Sequence, residues 1–234
     1  MNLKKISTLC FAASTLFVAS SAMAWESEDG IWSTSASVAL STEYVWRGIT
    51  QTDSEPAISG SFDVGHSSGL YAGVWASNVD FGPDDSTSLE IDYYVGFGGE
   101  FGESGVSYDI GGLYYDYPDE DGLDFFEFYG SVGYSFLTAG VSYSQDLFGT
   151  EAQDDLYYSL DAAYDIGTIS LAAGVGYYDF DSGDDYTNYH IGASTELAGF
   201  GLDLTYTDTD SNAEEIYGAN AADSALIFTI SKSM

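Results

Sequence analysis

The stretch STEYVWRGITQ, residues 41–51, carries Arg47, the sole arginine of a 234-residue chain with 38 Asp and Glu against four Lys and Arg. Lys4, Lys5 and Lys232 sit at the two ends, so Arg47 is the one cation within the acidic body of the sequence. A fixed guanidinium among carboxylates has two chemical uses. It can pin chain segments through an ion pair, or it can orient the anionic end of a passing solute. Glu43 shares its side of the chain, and Asp53 and Glu55 follow across the next loop as partners for pinning.

Other chemistry is thinner. His66 and His190 are the only candidate bases for a serine-type site. His190, near Asn188 and Ser194, suits either a hydrogen-bonded lining residue or a catalytic base, and a lining residue is the expectation. Glu90 and Asp92 are spaced for paired acid–base work, but with so many acids adjacency carries little information. DTDSNAEE opens like a calcium loop, with Asp208, Asp210 and Asn212 in step. Ala213 replaces its turn glycine and Ala219 its bidentate glutamate, so a solvated acidic surface is expected there. No phosphate cradle or Cys/His cluster is present, and we expect no cofactor, no metal site and no enzyme activity.

These residues must be held by strands. The N-terminus reads as a basic MNLKK, an apolar ISTLCFAASTLFVASS and an AMA cleavage site before Trp25. Residues 1–24 are therefore expected to be a removed secretory signal, and 25–234 the mature domain. Cys10 leaves with the signal, so no disulfide forms. Two of the four bases leave as well, and the net charge moves from −34 to −36. Such charge excludes nucleic acid as a partner. It would suit a disordered chain, except that 16% of residues are aromatic and regularly spaced.

The spacing has period two. Ala36, Val38, Leu40, Tyr44 and Trp46 alternate with Ser37, Ala39, Ser41, Glu43 and Arg47. LEIDYYVGFG and FFEFYGSVGYSF repeat the scheme. Twelve such runs are expected, near 34–47, 56–66, 69–80, 88–101, 105–117, 124–136, 137–146, 155–165, 168–180, 186–197, 200–208 and 223–232. The third and fifth alternate poorly and leave their facing open. Tight connections (SSG, GESG, FLT, DIGT, ELAG) alternate with long acidic ones. An even set of antiparallel strands with this loop asymmetry describes an all-β, transmembrane, up-and-down barrel of about 12 strands. Its termini and short turns would face the periplasm and its acidic loops the outside.

Lipid tolerates unpaired apolar side chains, so the Leu, Val and Phe set is expected outward. Outward Phe126 and Phe128 precede Val132 and then Tyr134 and Phe136, a pattern that builds two interfacial aromatic girdles. Glu43, Asp63, Glu90, Asp92, Glu127, Asp161, Glu196 and Asp203 then point inward, with Arg47 at the outer mouth. One arginine cannot neutralise eight acids in a dry interior, so a wet lumen holding counter-cations is expected.

TEYVWRGITQTDSEPAISGSFDVGHSSGLYAGVWASNVDF, continuing through EIDYYVGFGGEFGESGVSYDIGGLYYDYP, resembles the proteobacterial TorF-type porins, also catalogued as the Gcw_chp family. The likeness spans the mature chain and is densest from Ser41 to Pro118. It implies an outer-membrane barrel of a Gram-negative bacterium with a channel role and undefined cargo, and it makes Arg47 part of a family motif. Barrels of this kind usually end in an aromatic residue, which the insertion machinery reads; Met234 stands there instead.

The combined expectation is a narrow porin passing small solutes passively, with cations preferred. Outer-membrane lipid, small solutes or ions, and the insertion machinery during assembly are its partners. Two alternatives stay open: a non-conducting barrel serving as a structural or surface-interaction protein, and a barrel hydrolase around His190.

Overall fold

The computed structural model describes residues 25–82, 85–118, 120, 122–145, 147–149 and 154–234. The expected signal, residues 1–24, lies outside them.

Twelve long strands close one antiparallel barrel. They are preceded by a short strand β1 (Trp25–Glu26) that adds to the start of β2 (Trp32–Ser41). A small hairpin follows, β3 (Val45–Trp46) and β4 (Ile49–Thr50), forming its own two-stranded sheet. The wall continues with β5 (Ala57–His66), β6 (Leu70–Asn78), β7 (Leu89–Glu100), β8 (Val106–Asp116), β9 (Phe125–Tyr134) and β10 (Leu137–Gln145). It ends with β11 (Asp154–Ile166), β12 (Ile169–Asp179), β13 (Asp185–Leu197), β14 (Phe200–Thr209) and β15 (Ala225–Ser233). Each wall strand pairs with its sequence neighbour, and β15 pairs with β2 to close the ring, with Thr229 opposite Ser41. Closure leaves no unpaired edge facing lipid. No helix of the described residues is long and apolar enough to cross a membrane, and the strands are the crossing elements.

The outer face follows the alternation. Leu40, Phe62, Val95, Ile110, Phe128, Leu160, Val175, Ile191 and Leu204 are exposed on it. Trp32, Phe101, Tyr134, Phe136, Tyr164 and Phe200 ring the short-turn end, and Tyr114, Phe126, Tyr158, Tyr177, Tyr189 and Tyr206 lie toward the other. These are the two girdles. On the inner face, tyrosines lie across glycines of the neighbouring strand: Tyr94 over Gly73, Tyr71 over Gly96 and Tyr129 over Gly111. This pairing accounts for part of the abundance of both residues.

The turn between β13 and β14 is a primed hairpin. Ala198 and Gly199 both have positive φ (53° and 78°), the geometry that matches strand twist across a two-residue loop. At the opposite end, the long connections do not all extend away from the barrel. Residues 42–56 turn back into it.

Two sequence expectations are corrected here. The first wall strand stops at Ser41, not at residue 47. Tyr44 and Trp46, assigned to the lipid face by extending the alternation, are buried inside, at 3% and 4% exposure. The period-two pattern continues past Ser41 because β3 and β4 are themselves extended, but their hairpin is folded inward.

Candidate functional site: the hairpin seat in the lumen

The inward hairpin turns at Arg47 and Gly48, both at positive φ (50° and 86°), with Val45 opposite Thr50 and Trp46 opposite Ile49. This is the conformation a two-residue primed turn requires, and glycine supplies half of it without strain. Gly48 is also fixed by space. A Cβ there would lie 2.6 Å from Thr209 Cγ2 and 2.8 Å from Asn188 Cβ, so the tip sits hard against β13 and β14.

Backbone hydrogen bonds tie the insert to other loops. Thr50 N donates to Ala221 O, and Asp80 N donates to Gln51 O. Tyr44 N donates to Thr52 Oγ1, whose hydroxyl donates to Glu55 O. Around the insert lies a dry core that includes Tyr115, Tyr117, Phe125, Leu147, Tyr178, Phe180 and Tyr186. Tyr178 stacks on Phe180 at 4.4 Å, and Tyr115 on Phe125 at 4.2 Å. The short helix α1 (Ser211–Tyr217) helps roof this core, burying Ala213 and packing Tyr217 on Tyr186. Burial pushes the Tyr217 phenol up from its ordinary value, so it stays neutral. The candidate calcium loop is this helix with its cap: Asp210 accepts from Asn212 N and Thr187 N. Among the described residues, no group of three or more His, Cys, Asp or Glu could hold a metal ion.

Arg47 is buried, and its charge is met on all sides. Nη2 donates to both Glu127 oxygens at 2.8 and 2.6 Å, and Nη1 donates to Tyr178 Oη at 3.1 Å. Its carbonyl accepts from Tyr186 Oη. The guanidinium carbon stands 4.3 Å from the Trp46 ring, 4.2 Å from Tyr157 and 5.2 Å from Tyr178, all within cation–π range. Ser144 donates to Glu127 as well, at 3.3 Å. The Arg47 partner is thus a carboxylate of β9, distant in sequence, not Asp53 or Glu55. Nor does Arg47 stand free at the end of β2.

The other expected lumen acids separate into groups. Glu90 is fully buried and accepts from Tyr44 Oη and Tyr117 Oη at 2.8 and 2.7 Å. Asp92, two residues on, is 0% exposed and has no hydrogen-bond partner on either oxygen. Asp63 accepts from Tyr94 Oη and Ser61 Oγ in the turn-side half. Asp161 lies 3.7 Å from His190 Nε2, in a space that Gly174 keeps open. Asp203 accepts from Thr205 Oγ1 at 2.9 Å. Glu196 is exposed near the short turn at 198–199. Glu43 is corrected: it lies beyond β2, partly buried in the inserted segment.

Sequence reasoning missed two sets of residues. Asp109 faces inward and accepts from Tyr71 Oη at 2.7 Å, with Tyr129 Oη 2.6 Å from that phenol. It lies on the fifth run, whose weak alternation hid its facing; its register opposite Ser131 would have revealed it. Tyr157, Tyr178 and Ser144 line the Arg47 seat, and no local signal marks them, because the seat exists only after the hairpin folds inward. The expected wet lumen needs correction in one half. The loop-side half is packed, while at the turn-side end inward positions such as Ala163 and Asp165 are exposed.

No curated protein matches the chain in sequence. Among solved structures it is similar to the NanC porin, at TM-score 0.53 and 12% identity over 85% of this chain and 97% of that one. A structure reported under "Unveiling the Mechanism Behind the in-meso Crystallization of Membrane Proteins" gives TM-score 0.50 and 9% identity, covering 86% and 83% of the two chains. The COG4313 outer membrane channel from Pseudomonas putida F1 gives 0.48 and 10%, over 86% and 94%. The first two likenesses show a shared β-barrel fold. The family model described as "Bacterial protein of unknown function (Gcw_chp)" matches residues 26–234. The chain, a closed twelve-stranded transmembrane barrel with an inward, arginine-tipped hairpin, belongs to the Gcw_chp family.

Proposed function

We propose that this protein is an outer-membrane channel for passive diffusion of small solutes, preferring cations, whose loop-side mouth is closed by the 42–56 insert. One observation carries the reading. The turn-side half holds inward Asp63, Asp109, Asp161 and Asp203 on partly exposed walls, while the one lumenal cation, Arg47, is consumed by Glu127. Carboxylates around a solvent-filled bore raise local cation concentration and repel anions. Passage requires the insert, joined to the wall through β2 and β5, to give up its hydrogen bonds to Ala221, Asp80 and Tyr186 and leave its seat. Glu90, Asp92 and Glu127 would then join the lining, Glu43 would move out with the insert, and Glu196 would guard the inner exit.

Reversal potentials across a planar bilayer under a KCl gradient test this. Cation selectivity at neutral pH is expected, and removal of residues 44–52 raises the conductance. Anion selectivity at neutral pH overturns the proposal. The dry packing of the loop-side half favours a second reading, a non-conducting structural or surface-interaction barrel. Absence of conductance even without the insert would establish it. We assign no reaction to the Asp161–His190 pair; a hydrolase reading would require activity that His190→Ala abolishes in a folded barrel.

A further inference from the structure

The seat that Arg47 occupies is built mainly by the wall. Glu127 comes from β9, Ser144 from β10, Tyr157 from β11 and Tyr178 from β12, and Trp46 alone belongs to the hairpin. Four consecutive strands therefore present a carboxylate, a hydroxyl that orients it, a phenol oxygen and two ring faces. A planar cation with several N–H donors satisfies all of these at once, and a compact ammonium does not. The strands are hydrogen-bonded along their length, so these groups stay in place when the hairpin leaves.

A vacated seat would also be strongly anionic. Glu127 would lose its only cation, and the charges acting on the fully buried, unpartnered Asp92 are the carboxylates of Glu90 and Glu127. A replacement cation relieves that excess, in competition with protonation of one of the carboxyls.

We propose that the seat is a binding site for solutes bearing a guanidinium group, and that Arg47 is the barrel's own occupant. The hairpin closes the lumen as an internal competitor for that site. A guanidinium solute entering from the loop side takes over Glu127 and the Tyr157 face, and so favours the displaced hairpin. This inference rests on the channel reading for its purpose, but the binding site can be tested without conduction.

The test uses the folded barrel in detergent with agmatine, and with putrescine as a control of equal charge that lacks the planar group. In Arg47→Ala, millimolar agmatine is expected to raise the thermal midpoint and to bind about tenfold or more tighter than to the unsubstituted barrel. Putrescine leaves the midpoint unchanged, and adding Glu127→Gln abolishes the agmatine effect. An agmatine-insensitive Arg47→Ala barrel, or an equal response to putrescine, overturns the proposal. Should Arg47→Ala fail to refold alone, the readout is refolding yield: rescue by agmatine and not by putrescine supports the site, and no rescue overturns it. A barrel that binds agmatine but never conducts sinks the channel reading and leaves the site standing; a conducting barrel blind to agmatine does the reverse.

Discussion

The two halves of the lumen are made by the same strands and obey the same alternation, yet they have opposite interiors. In the turn-side half, inward positions are Ser, Gly, Asp and Tyr, partly exposed, with carboxylates hydrogen-bonded to phenols. In the loop-side half, inward positions carry Glu127, Tyr178 and Tyr186, fully enclosed against the hairpin. The difference teaches that a barrel strand specifies which residues face inward, and does not specify whether inward means water. That is decided by whether another piece of chain fills the bore. The Asp161 side chain keeps 28% exposure in the turn-side half, whereas Glu127 in the filled half is enclosed and is met by a cation from the hairpin.

Substitutions can break this contrast, beginning with the largest expected effects. Arg47→Ala leaves Glu127 buried without a counter-charge, and should cost the folded barrel about 3–5 kcal/mol in urea titration while raising conductance. Trp46→Ala removes the ring that packs against Tyr115, Phe148 and Tyr178, and about 3–5 kcal/mol is expected, with proteolysis at residues 42–56 as a second readout. Gly48→Ala keeps the charge but drives a methyl into Asn188 and Thr209 at positive φ, for about 1–3 kcal/mol and a partly open channel. Asp210→Ala removes the cap of α1 and its bond from Thr187 N, and should lower stability by about 1 kcal/mol with selectivity unchanged. Asp109→Asn, in the open half, should scarcely change stability (about 0.5 kcal/mol or less) because Tyr71 retains an acceptor, yet it should reduce cation preference in reversal-potential measurements. If Asp109→Asn proved as destabilising as Arg47→Ala, the contrast between the halves would be lost.

Much of this architecture was legible from residue types alone. All twelve wall strands, the short turns at one end and the outward girdle residues follow from alternation and turn chemistry, and the expected bounds of most strands agree within a few residues. The loss of legibility begins at Ser41. Alternation from Ala36 to Trp46 is interrupted only by Thr42 and Val45, so the eye extends the strand, but the wall strand ends between two segments that are both extended. The fifth run failed for a different reason: Gly111 and Gly112 interrupt the pattern, and only pairing with β7 and β9 fixes how Asp109 faces.

The sequence by itself determined the barrel, because strand alternation and the preference of apolar side chains for lipid act residue by residue along a local stretch. It also surrounded Arg47 with carboxylates as candidate partners, while leaving open whether Arg47 pairs with one or orients a solute. Only the tertiary structure decided that it pairs, and with which carboxylate. Glu127 lies 80 residues away, and the choice depends on an insert folding into a closed ring, where burial and aromatic packing act between segments that no sequence period connects.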